Sequence, residues 1–456
     1  MASRMSATAI AEDVSRGSIS AEDVARATLR RIETESPRIN AFTAVTAERA
    51  LAKARDIDRR RSNGEPLGPL AGVPYAVKNL FDVTGLPTRA GSKINRERAP
   101  ATRDAVLIER LDAADAVLVG ALNMGEYAYD FTGENVHDGN CLNPLDTSRM
   151  TGGSSSGSGA AVAAGLTPIS LGSDTNGSIR VPSSFCGIFG LKPTYGRLPR
   201  TRTFPFCDSL DHLGPLARNT RDLALAYDVL QGHDRRDPAC APRQREPVSA
   251  LLARGTEGLR IAVAGGFFDT ADMPEAATAV RSAAQALGAS RSVVLDGAEE
   301  ARAAAFIITN AESAALHLPR LQTRADDYDP DTRDRFLAGA MLPASWLLHA
   351  QRVRRWFHDK TVALFRDVDI ILAPATPCVA PKGGGKEITL RGETLPLRPN
   401  IGLFTQPISC IGLPVACVPI DIGPLPIGVQ LIAAPWREDL CLRAASALEA
   451  AQITRR

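Results

Sequence analysis

Hydrophobic positions along the chain recur with two different periods, and the change of period separates its regions. Between Ser20 and Pro37 the spacing is helical, with Val24, Thr28, Leu29 and Ile32 on one stripe. Ser20-Ala21-Glu22-Asp23 opens that stretch as a capping box does, with acidic side chains near the positive end of the helix. Pro37 is expected to end the helix, because it brings no N–H to the ladder. Residues 1–60 as a whole read as helices.

Beyond a turn-rich lead over residues 68–74 the period shortens. Residues 75–81 read as a short strand, 104–115 as a helix (Val106, Leu107, Leu111), and 116–120 as an apolar strand. Helix followed by apolar strand is the pattern of an α/β sheet covered on both faces. A small-residue helix over 160–164 and a strand over 169–173 lead into the turn Asp174-Thr175-Asn176-Gly177-Ser178. After about residue 230 a connection rich in proline and arginine precedes a mostly helical stretch, 255–365. Strand candidates return at 368–373 and 415–419, and a last helix covers 437–450. Residues 381–397, with Gly383-Gly384-Gly385, read as a loop or hairpin, and no internal repeat is found.

Bulk properties narrow the class. A chain of 456 residues can bury a large core, as one α/β domain or two intimate ones. Its 53 basic and 51 acidic residues nearly cancel, which gives no reason to expect a nucleic-acid or membrane partner. The arginines at 59–61 and at 352, 354 and 355 are expected on solvated helix faces or in protein contacts. No run approaches the roughly 18 apolar residues of a membrane span. The opening residues carry no long apolar segment, so no secretory signal is expected and the cytoplasm is the expected location. Eight cysteines without a CxxC pair argue against a zinc site or a disulfide framework, and predict reduced, buried thiols.

The candidate chemistry lies in two serine-rich turns. The run Gly152-Gly153-Ser154-Ser155-Ser156-Gly157-Ser158-Gly159 sits inside the densest α/β section, where a flexible linker does not belong. It lacks the Gly-Lys-Ser/Thr ending of a P-loop. In the second turn, successive backbone N–H groups can converge on an acyl oxygen beside Ser178, and Gly177 permits the backbone angles this needs. A serine nucleophile requires a base. Of the six histidines, His212 in Asp208-Ser209-Leu210-Asp211-His212 is the best placed for a Ser-His-Asp triad, although no GxSxG elbow accompanies it. The other candidate is Lys78, in the apolar segment Val77-Lys78-Asn79. If buried there, its amine turns neutral and can accept a proton; if it reaches water, it is an ordinary strand-end lysine.

These residues resemble a known family. Residues 152–158 and Gly172-Ser173-Asp174-Thr175-Asn176-Gly177-Ser178-Ile179-Arg180, continuing through Cys186-Gly187-Ile188-Phe189-Gly190-Leu191-Lys192-Pro193-Thr194, are similar to the amidase signature. The resemblance runs from Pro69-Leu70-Ala71-Gly72-Val73-Pro74 to Pro426-Ile427-Gly428-Val429-Gln430. It implies the amidase-signature fold, a large mixed β-sheet with helices on both faces, as one domain over 1–456. Its parts would be N-terminal helices (1–60), a signature core (61–230), a mostly helical region (231–365), and C-terminal strands and a helix completing the core (366–456).

The resemblance also implies a linear-amide hydrolase with a Ser–cis-Ser–Lys set: Ser178 as nucleophile, Ser154 as relay and Lys78 as base, without cofactor or metal. Backbone N–H groups of Thr175, Asn176, Gly177 and Ser178 would hold the oxyanion, Asp174 and Arg180 would brace the loop, and Tyr127 and Ala128 would line the pocket. The family commonly has Gly-Gly-Ser where this chain has Asn176-Gly177-Ser178; asparagine tolerates left-handed geometry, so the turn should survive. The Asn176 form, with Ile179-Arg180-Val181-Pro182, is similar to the branch of 1-carboxybiuret hydrolase subunits. That branch implies ammonia release from a small anionic ureide, a small helical partner subunit like the third subunit of tRNA-dependent amidotransferases, and a homo- or hetero-oligomer. The alternatives are the glutaminase subunit of a glutamyl-tRNA(Gln) amidotransferase, a broad-specificity amidase, or a non-catalytic scaffold subunit.

Overall fold

The computed structural model of the protein describes residues 6–455; residues 1–5, where part of the secretory-signal reading falls, and Arg456 lie outside them. Thirteen strands are formed among the described residues. The first five are β1 (Phe42–Val45), β2 (Pro74–Lys78), β3 (Val117–Leu122), β4 (Ile169–Asp174) and β5 (Phe189–Lys192). Next come β6 (His212–Ala217), β7 (Ile261–Gly265), β8 (Arg291–Val294) and β9 (Ile370–Pro374). The last are β10 (Glu387–Leu390), β11 (Glu393–Pro396), β12 (Val415–Ile420) and β13 (Ile427–Ile432).

Eleven of them form one sheet, in the order β1-β3-β2-β4-β6-β5-β12-β13-β9-β7-β8. The sheet is mixed. β2 runs parallel to β3 and β4, the pairs from β4 across to β9 are antiparallel, and β7 lies parallel to β8 and β9. Every residue of β2, β3, β4 and β13 is buried, as the near-continuous apolar runs of strands covered on both faces require. The helices Ser156–Ala163 and Arg180–Cys186 pack on the strands and on each other, and Thr220–Leu230 and Glu438–Ala450 also pack on the sheet. This is the large mixed α/β sheet that the family resemblance implied.

Several expectations change in detail. The helix capped by Ser20, whose hydroxyl accepts from the Asp23 N–H, runs Ala21–Ile39 and includes Pro37. In its last turn proline forfeits a single ladder bond, and the stop comes from Asn40, left-handed at φ 51°, whose N–H reaches the Ser36 carbonyl. The region read as N-terminal helices also supplies the edge strand β1. The stretch read as mostly helical supplies β7 and β8 to the same sheet. The glycine-rich segment is the hairpin β10–β11. Among the described residues no helix is long and apolar enough to cross a membrane. All eight cysteines are free, and all but Cys378 are buried.

Candidate active site

Lys78 is the last residue of β2, between β3 and β4, and is fully buried. Its Nζ lies 2.7 Å from Ser154 Oγ and 2.8 Å from Ser173 Oγ. Burial lowers its pKa from 10.5 to about 7, against the partial opposing pull of Asp211, Asp174 and Asp130. The ammonium does not reach water, so the alternative of an ordinary strand-end lysine does not hold.

Ser154 follows a cis Gly153–Ser154 peptide bond and precedes the helix Ser156–Ala163. The whole run is buried, which excludes a flexible linker. Gly153 is required here, since a Cβ at this position would lie 2.4 Å from Asp130 Oδ2. Ser155 Oγ donates to the Ser173 carbonyl and accepts from its N–H, clasping the loop to β4.

β4 delivers the second turn. Asp174 and Arg180, both fully buried, form a two-pronged ion pair, Nε–Oδ2 2.9 Å and Nη2–Oδ1 2.9 Å. Burial alone would raise the Asp174 pKa, but the Arg180 guanidinium holds it well below the usual carboxylate range. Arg180 continues to Gln430 Oε1 at 2.6 Å and the Thr405 carbonyl at 3.1 Å, tying the turn to β13. Thr175 Oγ1 donates to the half-buried Asp211 carboxylate at 2.6 Å. Among the described residues, the N–H groups of Thr175, Asn176, Gly177 and Ser178 have no acceptor in the protein. Four successive donors of this turn are therefore unspent within the described residues. At Gly177, φ is 141° and a Cβ would come 2.2 Å from Thr405 Oγ1, so only glycine fits.

Ser178 is buried, and its hydroxyl makes no hydrogen bond among the described residues. It lines a cavity of about 160 Å³ together with Ala128, Thr175, Asn176, Thr309, Asn310, Arg335 and Gln406. A larger cavity of about 520 Å³ reaches Ser173 and Asp211 from another side and shares Ala128 and Phe206 with the first. Tyr127 does not line the smaller cavity. Its ring packs against His317, Tyr328 and Phe336, and Tyr129 takes the wall position instead.

His212, the candidate for a histidine base, points its Nδ1 at the carbonyls of Leu210 (2.6 Å) and Asp174 (3.1 Å). Among the described residues its buried Nε2 has no partner, and no hydrogen bond joins it to Ser178. Burial holds its pKa well below the ordinary value. Among the described residues no three His, Cys, Asp or Glu side chains are grouped to hold a metal ion.

Some residues at the site had no signal in the sequence. Arg335, from the helix Pro330–Ala340, donates to the Tyr129 carbonyl at 3.1 Å and sits 4.9 Å over the Tyr129 ring. No carboxylate lies within ion-pair distance of it among the described residues. Thr309 and Asn310 arrive on the helix Ala298–Arg324, and Gln406 on Gln406–Cys410.

The family model Amidase matches residues 23–442. The chain is 54% identical over 454 residues to AtzE, the 1-carboxybiuret hydrolase subunit of Pseudomonas sp. (strain ADP), covering 99% of each. It is 36% identical over 475 residues to a glutamyl-tRNA(Gln) amidotransferase subunit of Chloroflexus aurantiacus, covering 98% of this chain and 96% of the other. A solved structure described as "An unexpected vestigial protein complex reveals the evolutionary origins of an s-triazine catabolic enzyme" superposes with a TM-score of 0.98 at 54% identity, covering 99% of both chains. A 6-aminohexanoate cyclic dimer hydrolase with its substrate superposes at 0.86 and 30% identity, covering 98% of this chain and 97% of that one.

Proposed function

Because the chain belongs to the Amidase family and is a hydrolase of C–N amide bonds, we propose that Ser178 is its nucleophile, Ser154 its relay and Lys78 its base. The observation that carries this reading is the buried Lys78 amine, 2.7 Å from Ser154 and poised near neutrality. As neutral amine, Lys78 takes the Ser154 proton while Ser154 takes that of Ser178, whose oxygen attacks the amide carbon. The Ser154–Ser178 link is not formed at hydrogen-bond distance in the free site, and contacts of this kind tighten with substrate bound. The N–H groups of residues 175–178 receive the negative oxygen. Collapse breaks the C–N bond, the relayed proton leaves with ammonia, and water, activated by the same relay, frees Ser178. Asp174 and Arg180 act on the loop's shape through their mutual pairing.

The substrate we propose is a small anionic ureide, with 1-carboxybiuret foremost. Similarity to AtzE at 54%, against 36% to the amidotransferase chain, supports it. So does Arg335, a cation without a carboxylate on the wall of a cavity too small for a polymer. We also propose a small helical partner subunit, supported by the similar structure described as a protein complex, and a cytoplasmic location. Ammonia release from 1-carboxybiuret, biuret and glutamine tests the assignment. The ureide acid should be preferred, and a preference for glutamine would move the chain to the amidotransferase branch.

A further inference from the structure

The turn that carries Ser178 departs from the commonest family pattern at Asn176, and the cavity shows where that side chain points. Asn176 is 8% exposed. Its Nδ2 donates to Thr309 Oγ1 at 2.9 Å, which leaves Oδ1 buried with no donor. Asn310, one residue further on the helix that supplies Thr309, also has a buried Oδ1 without a donor. Both asparagines line the cavity with Ser178. Two such oxygens on side chains that line one small cavity are unusual, because buried acceptors are nearly always satisfied and an unmet one is destabilising.

A third carboxamide faces the same space. Gln406 is 1% exposed, and its Oε1 accepts from Arg302 Nε at 2.8 Å. Arg302 is itself held by the Pro399 carbonyl (3.1 Å) and Asn400 Oδ1 (2.8 Å). That orientation turns the Gln406 amino group away from Arg302, and among the described residues it has no acceptor.

The side chains lining the cavity therefore carry two unmet acceptors and one unspent amide donor, besides the oxyanion N–H groups and Arg335. The methylenes of an acyl amide give nothing to those acceptors. A ureide, in which N–H groups alternate with carbonyls, satisfies both kinds. We infer that Asn176, Asn310 and Gln406 select ureides over acyl amides by pairing with the N–H and C=O groups next to the scissile bond. The inference rests on the serine–lysine hydrolase reading above. It gives the asparagine of the turn a specificity role distinct from its backbone N–H.

The test compares kcat/KM for ammonia release from 1-carboxybiuret and from glutaramate, which has the same chain length with methylenes in place of both internal N–H groups and the central carbonyl. Wild type should prefer the ureide by about 100-fold or more, since a site built around hydrogen bonds rejects an analogue lacking them. In Asn176→Gly and, from a separate element, Gln406→Met, that preference should fall at least about tenfold. Whatever happens to the absolute rate on glutaramate, the ratio of the two kcat/KM values should fall, with thermal unfolding confirming that both variants fold. Equal losses on both substrates, or an unchanged preference, would overturn the inference and leave the hydrolase reading standing. A wild-type enzyme that uses glutaramate and not the ureide would instead sink the substrate reading.

Discussion

Replacing Lys78 by methionine should abolish activity and, near neutral pH, make the protein more stable. The lysine is fully buried, and its pKa falls from 10.5 to about 7, chiefly through burial. At about 1.4 kcal/mol for each tenfold change in proton affinity, that fall corresponds to about 4–5 kcal/mol against the protonated folded state. At pH 7 and below, the unfolded chain keeps the proton while the folded chain must bury it or release it, so the full cost is present. From about pH 7 to 10.5 the folded lysine is neutral while the unfolded one keeps its proton, and the cost of releasing that proton fades by about 1.4 kcal/mol per pH unit. Methionine carries no such cost but gives up the contacts with Ser154 and Ser173, about 1 kcal/mol each. The variant should thus be about 2–3 kcal/mol more stable near pH 7, and less stable than wild type near pH 10. Thermal unfolding of both proteins in parallel across that range reads the crossover. A variant that is less stable at pH 7, with a difference that does not move with pH, would show that the amine pairs as an ordinary cation and is no base.

Three further outcomes follow from the same geometry. In wild type, kcat/KM should climb with pH through about 7 and level off above it, because the neutral amine is the working form; a pH–rate profile flat down to about pH 5.5 would contradict this. Gly177→Ala should lower kcat about 100-fold or more, since the new Cβ meets Thr405 Oγ1 and the φ of 141° is strained for alanine; steady-state kinetics on the folded variant measures it. Arg335→Met should raise KM for an anionic ureide about 10- to 100-fold and leave neutral biuret within about threefold, as substrate titrations at fixed pH will show.

The sequence was most readable where the local pattern and the tertiary environment agree. Strands β3, β4 and β12 sit where apolar runs predicted them, because a strand covered on both faces has little freedom in composition. The edge strands β1 and β8 are partly exposed and carry mixed residues, so nothing in their composition separated them from the helices around them. Pro37 misled because its effect depends on how many turns follow, which Asn40 decides.

At the site, Ser178 could be singled out from its own turn, whose N–H groups are unspent among the described residues. Lys78 had two local readings, and only its burial between β3 and β4 separates them. Arg335, Asn310 and Gln406 had no local signal at all. Their significance comes from distant elements meeting around a 160 Å³ cavity, which no spacing along the chain expresses. Tyr127 and Tyr129 show the same limit at short range, where a left-handed residue at φ 49° turns one ring into the aromatic cluster and leaves the other on the cavity wall.

The central claim, that this hydrolase works through a serine driven by a buried lysine, is tested most directly by Ser178→Ala. Ammonia release from 1-carboxybiuret, biuret and glutamine should all drop to background while the protein stays folded. Activity retained on any of the three would place the nucleophile elsewhere and contradict the account.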